Sequence, residues 1–94
     1  YVFFMMEALA MAAKNLGFTE AQANLLVSQT FLGAATLARQ SNDSFATLRE
    51  KVTSKGGTTF AGLEQLRARG VQEAIVSAAK AACERAVELQ KGSS

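Results

Sequence analysis

The sequence has 94 residues, 49% hydrophobic and 19% charged, with ten basic and eight acidic side chains and a formal charge of +2. That length holds one domain or a piece of one and is too short for a complete two-domain enzyme, while the apolar content is too high for a disordered segment. Proline and histidine are absent and Cys83 is the single cysteine, which excludes an intrachain disulfide framework, a zinc site and Ser-His or Cys-His nucleophile pairs, and points to a reduced, cytoplasmic setting.

The opening run Tyr1 to Met6 is strongly apolar, but no basic residue precedes it and Glu7 interrupts it, so it does not read as a signal peptide. It begins without a cap or an initiator methionine, as a helix cut from a longer chain would. The first helix is expected from Tyr1 to Leu16, rich in Ala, Met and Leu, and stopped by Gly17. Thr19 and Gln22 then have capping-box spacing, with Phe18 ahead of the cap, and predict a second helix of about twenty residues. The uncharged stretch from Ala21 to Ala38 has bilayer-spanning length. Its content of Gln22, Asn24, Ser28, Gln29, Thr30 and Thr36 argues against a membrane.

Ser41 to Ser44 forms a loop whose last serine can cap a short helix from Phe45 to about Lys51. The segment Thr53 to Thr59 holds the adjacent glycines Gly56 and Gly57. A further helix is expected from about Phe60 to Arg69, ending at Gly70, where Arg67 and Arg69 complement its C-terminal dipole. The last runs from Val71 to about Gln90, with Ile75, Ala79, Ala82, Ala86 and Leu89 at three- and four-residue spacing. Residues 1–91 thus form one all-α domain of about five helices, and residues 92–94 a tail. The basic residues are spread from Lys14 to Lys91, so no nucleic-acid face is expected.

Burial is the difficulty with so few helices. Across residues 1–40 only Glu7, Lys14, Glu20 and Arg39 are charged, and a surface helix normally shows a polar half. A second chain would cover that surface, and Ala8, Ala10, Ala12, Ala13, Gly33, Ala34 and Ala35 would let such helices interleave. The other arrangement is a compact monomeric bundle with an unusually apolar centre. Glu7 is expected to be solvated or salt-bridged within a dimer, and Cys83 to be a small core or interface residue.

Two readings fit the loop from Ser54 to Thr59. In one, the glycines let the backbone turn so that the amides opening the next helix meet a small anion. Ser54, Thr58 and Thr59 add hydroxyls and Lys55 a charge at the rim. In the other, the segment is a turn, with Thr58 or Thr59 as an N-cap. Neither a P-loop nor a Gly-x-Gly-x-x-Gly fingerprint is present.

Leu48-Arg49-Glu50-Lys51-Val52-Thr53-Ser54-Lys55-Gly56-Gly57-Thr58-Thr59 resembles the Leu-Lys-Asp-x-Val-Thr/Ser/Cys-Ser-Pro/Lys-Gly-Gly-Thr/Ala-Thr signature of pyrroline-5-carboxylate reductases. Tyr1-Val2-Phe3 with Glu7-Ala8-Leu9, Phe31-Leu32-Gly33-Ala34-Ala35, and Gly70-Val71 followed by Ala74 resemble further stretches of that family. The resemblance implies the family's C-terminal helical domain, an interleaved homodimer that assembles into a ring of dimers in some members, without the Rossmann domain that binds NADPH or NADH. The family reduces 1-pyrroline-5-carboxylate to L-proline, so this chain alone would be inactive. By position, Ser54, Gly56, Gly57, Thr58 and Thr59 would hold the substrate carboxylate, with the Thr59 hydroxyl near the ring nitrogen to orient it or relay a proton. Lys51 stands where some members have an asparagine that reaches the cofactor, and Lys55 where many have proline. With no histidine and no CxxC pair, no metal is expected. A different reading keeps the chain as a stand-alone helical oligomerisation module without a ligand.

Overall fold

The computed structural model describes residues 1–92. Among them are five helices and no strand: α1 (Val2–Asn15), α2 (Glu20–Gln40), α3 (Phe45–Lys51), α4 (Thr58–Ala68) and α5 (Val71–Gly92). The all-α expectation therefore holds. The chain divides into two compact units, one of Tyr1–Leu48 and one from Arg49 onward.

In the first unit, α1 ends in a Schellman motif. The amide of Phe18 donates to the Ala13 carbonyl at 3.1 Å and that of Gly17 to the Lys14 carbonyl at 3.0 Å. Gly17 makes this possible by adopting φ +105°, a left-handed region costly for a residue with a β-carbon. One residue separates Phe18 from α2, whose first turn is closed by a reciprocal box. The Gln22 amide donates to Thr19 Oγ1 at 3.2 Å, and the Thr19 amide to Gln22 Oε1 at 2.9 Å. Farther along, Ser28 Oγ donates to the Asn24 carbonyl at 2.8 Å and Thr30 Oγ1 to the Leu26 carbonyl at 2.7 Å. Those hydroxyls are satisfied within their own helix, which lets an otherwise apolar surface carry them. Ser44 caps α3, accepting from the Thr47 amide at 3.1 Å.

α1 packs on α2, yet this contact buries little. Ala23 and Val27, one turn apart on α2, are the two described residues that reach the buried class. Phe3, Phe4 and Leu16 on or beside α1 remain 81%, 72% and 80% exposed. Burying such a side chain is worth roughly 1.5–3 kcal/mol, so a single copy of the chain leaves most of its available hydrophobic stabilisation unused.

In the second unit, α4 packs against α5 across Gly70, which turns the chain at φ +67°. The ion pairs on these two helices (Glu64 with Arg67, Lys80 with Glu84, Arg85 with Glu88) are exposed, with oxygen–nitrogen separations of 3.0–4.0 Å. Each contributes at most about 0.5 kcal/mol.

α1 is one residue shorter at each end than expected and α4 stops one residue sooner, while two element ends differ by two residues. α4 begins at Thr58, two residues earlier than Phe60, and its cap is Gly57 rather than Thr58 or Thr59. α5 runs two residues past Gln90 to Gly92, where Lys91 complements the helix dipole. Ser93 and Ser94 of the expected tail lie outside the described residues. Glu7 is exposed, as a solvated carboxylate would be. Cys83 is also exposed: α5 has apolar residues at helical spacing but too little partner surface to bury them, as Val76 at 63% and Leu89 at 57% also show. Among the described residues no helix is long and apolar enough to cross a membrane.

Candidate functional site

The loop between α3 and α4 lies wholly in the second unit and is built by short-range bonds. At its start, the Val52 amide donates to the Arg49 carbonyl at 3.3 Å and the Thr53 amide to the Glu50 carbonyl at 3.1 Å. Thr53 Oγ1 adds a 2.6 Å bond to that same Arg49 carbonyl. The chain then turns on Ser54-Lys55-Gly56-Gly57, closed by the Gly57 amide donating to the Ser54 carbonyl at 2.9 Å. Gly56, third of the four, takes φ +76°, as a type II turn asks of that position. Lys55 occupies the second position, where the fixed φ of proline also fits.

Gly57 ends the turn and caps α4. Its backbone is extended, φ −84° and ψ −179°, and its carbonyl accepts from the Ala61 amide at 3.1 Å. No side chain caps α4. The amides of Thr58, Thr59 and Phe60 have no hydrogen-bond acceptor among the described residues. Where α2 closes its first turn with its own threonine and glutamine, α4 leaves its first turn open. Three donors and the positive end of the helix dipole are presented together, an arrangement suited to an anion.

Beside these donors are hydroxyls. Ser54, Thr58 and Thr59 are exposed and make no side-chain hydrogen bond among the described residues. Ser54 is held close over the cap: a β-carbon built on Gly57 collides with Ser54 Oγ and comes within 3.2 Å of the Ser54 carbonyl oxygen. Ser54, Gly56, Gly57, Thr58 and Thr59, all named from the sequence, thus fall on one turn and the helix start that it feeds. Lys55 is exposed at the turn. Lys51 is the last residue of α3 and is exposed, separated from Ser54 by Val52 and Thr53. Among the described residues no three His, Cys, Asp or Glu side chains cluster as a metal would require.

Thr53 is the residue that sequence reasoning missed. Its signal was a β-hydroxyl four residues after Arg49 at a helix end, the spacing for a bond back to the carbonyl.

The first unit carries open grooves. One, of about 500 Å³, runs between α1 and α2 and includes Phe3, Met6, Glu7 and Asn24. The second, of about 240 Å³, is lined by Leu9, Leu16, Phe18 and Leu26 among others and is almost wholly apolar.

Residues 1–89 match the protein family described as "Pyrroline-5-carboxylate reductase dimerisation". The chain is 42% identical over 92 residues to a pyrroline-5-carboxylate reductase of Pasteurella multocida, covering 97% of this chain and 34% of that protein. It is 43% identical over 91 residues to the Synechocystis enzyme of the same name, with the same shares covered. Among solved structures, a pyrroline-5-carboxylate reductase from Coxiella burnetii superposes with a TM-score of 0.89 at 45% identity, covering 95% of this chain and 33% of that one. A Plasmodium falciparum pyrroline carboxylate reductase with NADP bound gives 0.87 at 29% identity, over 90% of this chain and 34% of its own. The chain spans about a third of the length of the relatives it matches.

Proposed function

This chain belongs to the pyrroline-5-carboxylate reductase dimerisation family, and from that premise we propose that it supplies the subunit interface and the substrate-carboxylate loop for reduction of 1-pyrroline-5-carboxylate to L-proline. One observation carries the reading: the uncapped first turn of α4. The amides of Thr58, Thr59 and Phe60 are open, and the unbonded hydroxyls of Ser54, Thr58 and Thr59 belong to the same turn and helix start. A carboxylate bound there accepts from amides and hydroxyls without needing a basic side chain.

In the proposed reaction the carbon of the cyclic C=N bond takes up a hydride, and the nitrogen, protonated beforehand, keeps the former π electron pair as an amine. A nicotinamide cofactor, NADPH or NADH, supplies that hydride when bound. The described residues contain no strand and hence no strand–turn–helix cradle for a dinucleotide, so this chain's part is to place the ring. Fixing the ring by its carboxylate sets the distance and face of attack, a contribution of orientation rather than of acid–base chemistry. The Thr59 hydroxyl, on the same first turn, is assigned to the ring nitrogen, orienting its N–H or passing its proton. No histidine is required by this scheme.

The interface half of the proposal is a homodimer. It is supported by the exposure of Phe3, Phe4, Leu16, Leu32 and Phe45 where, among the described residues, only Ala23 and Val27 are buried, and by the apolar groove beside Leu9 and Leu26.

The test is steady-state kinetics on the protein that carries this chain, comparing wild type with Ser54→Ala and Thr59→Ala. Both variants are expected to raise KM for pyrroline-5-carboxylate or lower kcat, with KM for NADPH unchanged. Wild-type kinetics in both would reject the assignment.

A further inference from the structure

We infer that Thr53 is a positioning residue for this site, acting through Ser54; the inference rests on the carboxylate-loop reading proposed above. Its hydroxyl donates to the Arg49 carbonyl at 2.6 Å, the shortest of the three bonds that end α3, the others being 3.3 and 3.1 Å. That carbonyl otherwise receives the Val52 amide at the long end of the range, so the side chain secures the chain where it leaves the helix. Ser54 is the very next residue, and two features of the site start from it. Its carbonyl closes the turn with Gly57, and its hydroxyl lies over the α-carbon of Gly57.

The surroundings single out Thr53 further. It is half-buried, whereas Ser54, Lys55, Gly56, Thr58 and Thr59 are exposed. Its hydroxyl proton is committed to α3 and is not offered to a ligand. A β-branched side chain has few χ1 choices, so with its hydroxyl bonded to the Arg49 carbonyl the residue that leads into Ser54 is anchored to the end of α3. Thr53 therefore sets the direction of Ser54 without touching the substrate.

The test uses Thr53→Val, which keeps the shape and removes the hydroxyl, and Thr53→Ser, which keeps the hydroxyl, with Ser54→Ala as the benchmark. Measured in the protein that carries this chain are KM for pyrroline-5-carboxylate, KM for NADPH, kcat and the thermal midpoint. The expected result is a rise of about three- to tenfold in the substrate KM for Thr53→Val, with kcat and KM for NADPH unchanged, a thermal midpoint lowered by a few degrees for the lost hydrogen bond, and Thr53→Ser restoring both. Should the valine variant fail to fold, Thr53→Ala reads the same loss. An impaired Ser54→Ala beside a wild-type Thr53→Val would overturn this assignment alone. So would a parallel decline of every kinetic parameter with the thermal midpoint, which marks a purely structural role. A wild-type Ser54→Ala would overturn the carboxylate reading and this assignment with it.

Discussion

The Ser54 hydroxyl occupies the place that a β-carbon on Gly57 would need. Gly57 has an ordinary extended backbone, φ −84° and ψ −179°, open to any residue. Glycine is therefore favoured there by the Ser54 side chain and not by its own dihedrals. Gly57→Ala should push the Ser54 hydroxyl into another staggered rotamer, at little folding cost because that exposed hydroxyl has no hydrogen bond to lose. Its substrate KM should rise as it does for Ser54→Ala. Kinetics paired with a denaturant midpoint checks this, and a wild-type KM would separate Ser54 from the carboxylate.

Gly56 is the opposite case. A β-carbon there meets nothing within 4 Å, but φ is +76°. Gly56→Ala should cost about 1–2 kcal/mol through backbone strain alone, and Gly56→Asn less, since asparagine tolerates the left-handed region. Chemical denaturation of the two variants should rank them in that order.

Punctuation by local rules was legible in the sequence: Gly17 and Gly70 at positive φ, the Thr19–Gln22 box and the Ser44 cap each depend on residues within a few positions of one another. The start of α4 was not. Two threonines looked like caps, yet the cap falls where the turn closes, and that is set by the bond between the Gly57 amide and the Ser54 carbonyl. Thr53 was overlooked because its role is a bond to a carbonyl, which leaves no mark in residue type beyond a hydroxyl. The sequence reads Cys83 as a small core or interface residue. It is exposed because burial in this chain depends on surface that one copy does not provide.

Removing the α2 cap should affect folding without touching the site. Thr19→Ala removes the Oγ1 acceptor of the Gln22 amide, keeps the residue-19 amide that donates to Gln22 Oε1, and should lower stability by about 1 kcal/mol. The substrate KM should stay at the wild-type value, which the same kinetic assay reads.

The dimer reading makes a prediction at Gly33. Within one chain a β-carbon on Gly33 meets nothing within 4 Å, so alanine should favour the isolated helix by about 0.5–1 kcal/mol. Against a closely packed second copy the added methyl instead separates the helices. Gly33→Ala is expected to weaken self-association in sedimentation equilibrium while leaving helicity intact. Unchanged or tighter association would remove Gly33 from the interface.

The central claim is that the open turn of α4 receives a carboxylate, and amide chemical shifts test it most directly. L-Proline is titrated into the NADP⁺-saturated protein that carries this chain, and the amides of Thr58, Thr59 and Phe60 are followed. The account predicts saturable shifts in these three, with weaker binding in Ser54→Ala. Saturable binding that moves amides elsewhere and leaves these three unchanged would contradict it.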